Sequence, residues 1–215
     1  MECLKYGLYF FLQRRIQTSV VNSHTVTHKP IAPAGNPAQL KFNCSGSSDY
    51  YIDLNFVRLL LRMKLVKTDV SYIESAEPNR VVNNLYSMFS SLGVSLNGKP
   101  VTLHEINYHY KAYLERLLNY GSDSSGTHLV SSFLYLDSPG ELKDDSGYAR
   151  RLNYLCNSKI PEIYGRLHAD LFNSDKFLIN DVDVNIKLTR APEAFYFCPI
   201  SAYHGRGRYS FYHSV

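Results

Sequence analysis

The side chains best suited to chemistry are the histidines and a few close carboxylates, and their spacing decides what they can do. The nearest approach to a catalytic signature is His104-Glu105-Ile106-Asn107-Tyr108-His109. It has the ingredients of a zinc-binding H-E-x-x-H helix but one residue too many. At 3.6 residues per turn, positions i and i+5 point ~140° apart, so the two imidazoles cannot converge on one ion. Arg166, His168 and Asp170 recur at every second position, which on a strand makes a ladder along one face. Such a trio can in principle do acid–base work. With no nucleophile or second carboxylate placed beside it, a solvated ladder is the expectation. Asp144-Asp145 and the Asp181/Asp183 pair attract cations in principle, but neither has a calcium-loop spacing. The chain has no G-x-S-x-G elbow, no phosphate-binding loop and no dinucleotide fingerprint. A hydrolase built around His168 or His104 is the enzymatic reading that remains. The sequence itself assigns no catalytic, cofactor-binding or metal-ligating residue, and no enzyme and no cofactor are expected.

Binding chemistry is little better supplied. Arg58, Arg62 and Lys64 share a strand face that suits phosphate, though a solvated face explains them more simply. Arg206 and Arg208 sit among Tyr203, Tyr209, Phe211 and Tyr212, a mixture compatible with stacking on nucleic acid. Two bases support at most weak, non-specific contact. The formal charge of +4 is too small to define a nucleic-acid-binding protein.

The elements that would position these residues are mostly strands. The 215 residues contain 18 Tyr and 11 Phe but no Trp, a composition that suits sheets and interfaces rather than a Leu/Ala-rich bundle. Cys3, Cys44, Cys156 and Cys198 are far apart, so they read as free thiols of a reducing compartment. The apolar run Leu8-Tyr9-Phe10-Phe11-Leu12 is too short for a signal peptide or a membrane span, so a soluble, intracellular chain is expected. The sequon Asn43-Cys44-Ser45 then carries no meaning.

Residues 1–38 read as an extended arm rich in Ser, Thr, Asn and Pro. Leu40, Phe42 and Cys44 alternate with polar residues over 39–44. Over 56–67, Val57, Leu59, Leu61, Met63 and Leu65 share the inward face of a long strand. After a loop near 75–79, residues 81–89 look helical. Leu92, Val94 and Leu96 then lead into Asn97-Gly98, a strong type I′ hairpin signal. The return strand over 99–103 turns Val101 and Leu103 inward, and Pro100 confines it to an edge. Tyr110, Tyr113, Leu114, Leu117 and Leu118 form the apolar stripe of a helix over 107–120, stopped by Gly121. Residues 122–127 read as a flexible tip, 129–136 as a short apolar helix or strand, and 141–158 as a loop with a helical turn or two. Strands return at 163–172, with Leu171 inward and Phe172 outward, and at 182–189. The sum is a mainly β protein, an antiparallel jelly-roll sandwich with helical insertions in its connecting loops.

Several segments in order resemble one family. Asp49-Tyr50-Tyr51-Ile52-Asp53-Leu54 and the basic-faced strand after it are similar to the start of the first barrel of double jelly-roll major capsid proteins, in particular those of Polinton/Maverick elements and adintoviruses. The likeness continues through Val81 to Phe89, Val94 to Lys99, Tyr110 to Glu115 and Leu117 to Gly121. It closes with Gly165 to Phe172 and Phe177 to Asp183, and covers roughly 17–197. The resemblance implies a virion protein that trimerises, contacts other capsid subunits and does no catalysis. It divides the chain into an arm (1–38), a jelly-roll domain (39–197) and a divergent tail (198–215). Members of the family continue into a second jelly roll where this chain stops, which implies a truncated or endogenised copy. It also implies self-association rather than a clean monomer, with no membrane partner. The alternative is a single jelly-roll module that binds carbohydrate or peptide.

Overall fold

The computed structural model describes residues 20–31, 38–63, 65–66, 80–82, 84–102, 105–135, 146–155, 157, 159–199 and 210–211. Its strands are β1 (Gln39–Cys44), β2 (Arg58–Arg62), β3 (Leu65–Val66), β4 (Arg80–Val82), β5 (Phe89–Leu96), β6 (Lys99–Pro100), β7 (Glu105–Ile106), β8 (Glu162–Arg166), β9 (Val184–Arg190), β10 (Phe197–Pro199) and β11 (Ser210–Phe211). The main antiparallel sheet runs β1-β9-β5-β6, with β7 also on β5, while β2 pairs with β8. Two short pairs, β10 with β4 and β11 with β3, complete the described ladders.

The two layers meet as the alternation requires. Leu40, Leu92, Val94, Val184, Ile186 and Leu188 line the inner face of the large sheet, and Leu59, Leu61 and Ile163 line the smaller one. All nine belong to one buried cluster, so the architecture is a β-sandwich with helices in its loops. Asn97 and Gly98 both have positive φ, 48° and 77°, as a type I′ turn demands. Pro100 lies on the edge strand, where its missing N–H breaks no inner ladder.

Several expectations are corrected, each for a local reason. The strand expected from 56 begins at Arg58, because the Asp53 carboxylate accepts the Asn55 N–H at 3.0 Å and caps a 3-10 turn over Leu54–Phe56. Residues 81–89 are not helical. β4 ends at Val82, and the Asn84 and Ser87 side chains bond each other's backbone at 2.9 and 2.8 Å, leaving a single 3-10 turn (Tyr86–Met88) before β5. Val101 is 48% exposed rather than inward. The ladder ends before it, since the N–H groups of Val101 and Thr102 both turn to the carbonyl of Val94, at 2.9 and 3.3 Å. Leu103 lies outside the described residues, as do the loop at 75–79 and Asp144-Asp145. In the strand expected over 163–172, β8 stops at Arg166 and a 3-10 turn (Asp170–Asn173) buries Phe172 completely, leaving Leu171 half-buried.

The tip at 122–127 is a short helix, α2 (Ser122–Gly126), following α1 (Tyr108–Asn119). Residues 128–132 form a 3-10 helix, and the charged loop contains α3 (Ser146–Leu155), longer than two turns. A last short helix, α4 (Glu193–Tyr196), precedes β10. The largest departure concerns α1. Its boundaries are close to those expected, but its apolar stripe faces outward: Tyr110, Tyr113, Leu114, Leu117 and Leu118 are 51% to 84% exposed, whereas Tyr108 and Ala112 are buried. The inward side carries Lys111, Glu115 and Arg116, each with a partner in the body of the protein.

Candidate functional site

The polar side of α1 meets the segment after β8 in a buried cluster centred on His168. Sequence alternation placed His168 on a solvated ladder. The strand instead ends two residues earlier, and the ring turns inward to 4% exposure. Its Nδ1 lies 2.8 Å from Glu115 Oε2, and its edge rests on the Tyr86 ring, with centroids 4.6 Å apart. The His168 backbone N–H donates to the Tyr108 hydroxyl at 3.2 Å. Lys111 links the cluster outward, with Nζ 2.8 Å from Asp170 and 3.9 Å from Glu115. Burial holds the imidazole below its ordinary pKa, and Arg166 and Lys111 push the same way, against the pull of Glu115.

A His–carboxylate pair of this kind could serve as a base if the far nitrogen reached a substrate. Here Nε2 is buried and has no hydrogen-bond partner. In this arrangement burial, more than pKa, separates the imidazole from solvent. Arg166 is likewise occupied, donating to Asn55 Oδ1 and, at 2.7 Å, to the Phe172 carbonyl. The structure therefore separates the expected ladder of Arg166, His168 and Asp170 into three roles: a loop clamp, a buried polar centre and a rim ion pair.

The other candidates disperse. His104 lies outside the described residues, and His109 packs its ring on Tyr110 and Phe195, with centroids 4.4 and 3.9 Å away. Asp183 holds backbone rather than a cation: its Oδ1 accepts the Gly46 N–H at 2.9 Å, and its own N–H donates to Asn97 Oδ1 at 2.8 Å. Among the described residues no group of three His, Cys, Asp or Glu side chains is placed to hold a metal. The basic stripe is broken up as well. Arg58 donates to the carbonyls of Asn55 and Val57, Arg62 pairs with Glu162 directly opposite, and Lys64 lies outside the described residues. Arg206 and Arg208 also lie outside them. Cys44 carries a free thiol whose pKa burial raises; Cys3 and Cys156 are not among the described residues. Among the described residues no helix is long and apolar enough to cross a membrane.

A hollow of about 400 Å³ lies on the main sheet, lined by Lys41, Lys187, Ser95, Asn185 and Thr102 around Gly93. It shares no residue with the His168 cluster. Phe42 is the aromatic residue in its lining.

Sequence reasoning missed Glu115 and Lys111. The signal was present as an i, i+4 charged pair on α1, opposite the apolar stripe. Apolar periodicity of this kind usually marks a buried face, which draws attention away from the charged pair opposite it.

No family profile matches the chain. An uncharacterized protein of Caenorhabditis elegans is 26% identical over 132 residues, which are 60% of this chain and 30% of the worm protein. Among solved structures, a chain of the Sputnik virophage, determined by cryo-EM, superposes with a TM-score of 0.55 at 12% identity. The match covers 94% of this chain and 50% of the virophage chain. The chain thus spans less than a third of its curated relative and half of its structural neighbour. At that identity the likeness is one of fold alone.

Proposed function

We propose that this chain is a capsid-type structural protein that acts by self-assembly rather than catalysis. The observation that carries the reading is the fold likeness to a virophage chain over nearly the whole of this one. Matching half of that chain is what one of two jelly rolls would do. The sealed Nε2 of His168 supports the non-enzymatic side of the proposal. On the same reading residues 39–197 form the jelly-roll module, 1–38 its arm and 198–215 a divergent tail. The partners are further copies of itself, in a capsomer-type trimer, and other capsid subunits. Nucleic acid is at most a weak, non-specific contact, and the location is the virion. The order of matching segments supports placing it with Polinton/Maverick and adintovirus proteins.

Electron microscopy and multi-angle light scattering of the purified chain at several concentrations test the proposal. Trimers or larger particles of uniform shape are expected. Monomers at every concentration would refute the assembly reading.

A further inference from the structure

We propose that the outward face of α1 is a two-fold contact between two copies of this chain. This rests on the assembly reading above and gives it a surface. Tyr110, Tyr113, Leu114, Leu117 and Leu118 are each more than half exposed. The patch continues onto Phe195, whose ring lies 5.7 Å from that of Tyr110. Large side chains of this kind cover 150–250 Å² each, so six at about half exposure present on the order of 600 Å². That is at the upper end of what ordinary monomers expose, and patches of that size are often functional. Two such faces together reach the ~1,200 Å² at which specific interfaces begin.

The helix also shows why the face must be covered. Its charged side chains turn inward: Lys111 to Asp170, Glu115 to His168, Arg116 to the buried Ser125 at 2.7 Å. Rotating the helix to bury its stripe would strand those groups, so the outward stripe is fixed by the polar contacts beneath it. The five stripe positions themselves bear no charge, and nothing in them selects an acidic or a basic partner. What fits an uncharged stripe of two Tyr followed by three Leu is another of the same kind running the opposite way.

Self-pairing is geometrically simple. Leu114 is the midpoint, with Tyr110 and Leu118 each four residues, or about 6 Å, to either side. An antiparallel two-fold pairing sets Leu114 against its own copy. It also places each Tyr110 beside the opposite Leu118, a large side chain against a smaller one.

A charge-swap experiment tests the contact on the full chain. Leu114→Glu and Leu114→Lys are both at an exposed position, so each should keep the circular dichroism spectrum and urea midpoint of the wild type. In sedimentation velocity, each variant alone is expected to pair across this face at least 100-fold more weakly than wild type, because like charges meet at the two-fold axis, while any three-fold capsomer contact persists. Mixed one to one, they are expected to associate again. Wild-type oligomers that Leu114→Glu leaves unchanged would overturn the contact but not the assembly reading. Variants that dissociate yet fail to recover on mixing would overturn the two-fold geometry and the proposal with it. A monomeric wild type would sink both the contact and the assembly reading.

Discussion

Replacing Gly46 by alanine tests how the sandwich is tied together at one end. A Cβ at Gly46 would lie 2.4 Å from the Val182 nitrogen and 2.8 and 2.9 Å from the carbonyl carbons of Asp181 and Val182. All three are backbone atoms, so no rotamer change relieves the overlap, and the two chains must separate by about 1 Å to reach ordinary contact. That separation breaks the Gly46 N–H···Asp183 Oδ1 bond and disturbs Asp183, which also bonds Asn97 through both its N–H and its carbonyl. Overpacking costs about 1–3 kcal/mol, and a hydrogen bond to a charged acceptor is worth about 1.5–3 kcal/mol, so a total loss of about 2.5–6 kcal/mol is expected. Gly98→Ala is the control. Its Cβ would meet nothing within 4 Å, but its φ of 77° is unfavourable for an L side chain, a cost of about 1–2 kcal/mol. Urea unfolding followed by circular dichroism, at a concentration where all samples share one oligomeric state, should rank the midpoints wild type, Gly98→Ala, Gly46→Ala, with a common slope. A Gly46→Ala loss below about 0.5 kcal/mol, or one smaller than that of Gly98→Ala, would show that the close approach carries no weight.

Two further outcomes follow from burial. Leu61 is 5% exposed and Leu60 45%, so Leu61→Asp should abolish soluble expression while Leu60→Asp changes the urea midpoint little; equal behaviour would mean that the strand has no defined inner face. His168 is held below the ordinary histidine value of 6.5 chiefly by burial, so on acidification the unfolded chain binds this proton first. Its contribution is complete above pH 6.5 and is lost as the pH falls below that value, with a slope of at most about 1.4 kcal/mol per pH unit. Urea midpoints of the wild type and His168→Gln between pH 5 and 8 should therefore converge toward the acid end, and parallel curves would refute the assignment.

What could be read from the sequence was whatever a two-residue period decides. The faces of β1, β2, β5 and β9 follow from alternation because a strand has only two sides, and Asn97-Gly98 defines its turn by backbone sterics alone. Reasoning from periodicity failed where a tertiary partner outweighed it. α1 has an apolar stripe strong enough to suggest burial, yet three polar contacts set its rotation, two of them to Asp170 and His168, 59 and 53 positions away. His168 continues the alternation of β8 for two residues after the strand has ended, and only the approach of Glu115, 53 positions away, accounts for its burial. The same applies to Asp183, which resembled half of a cation pair and proved to be a clasp for two turns.

The edges of the main sheet carry a consequence for what the protein can build. At one edge the arm residue Ile31 donates its N–H to the Lys41 carbonyl at 2.8 Å, taking up a β1 acceptor that an incoming strand would need. At the other edge Pro100 offers no donor at all. Growth by adding strands, the route to open-ended fibrils, is obstructed on both sides. On the proposed assembly reading, copies of this chain meet through side-chain surfaces, and the rotation between subunits decides whether the set closes. The same blunted edges make the main sheet a poor template for strand-by-strand polymerisation.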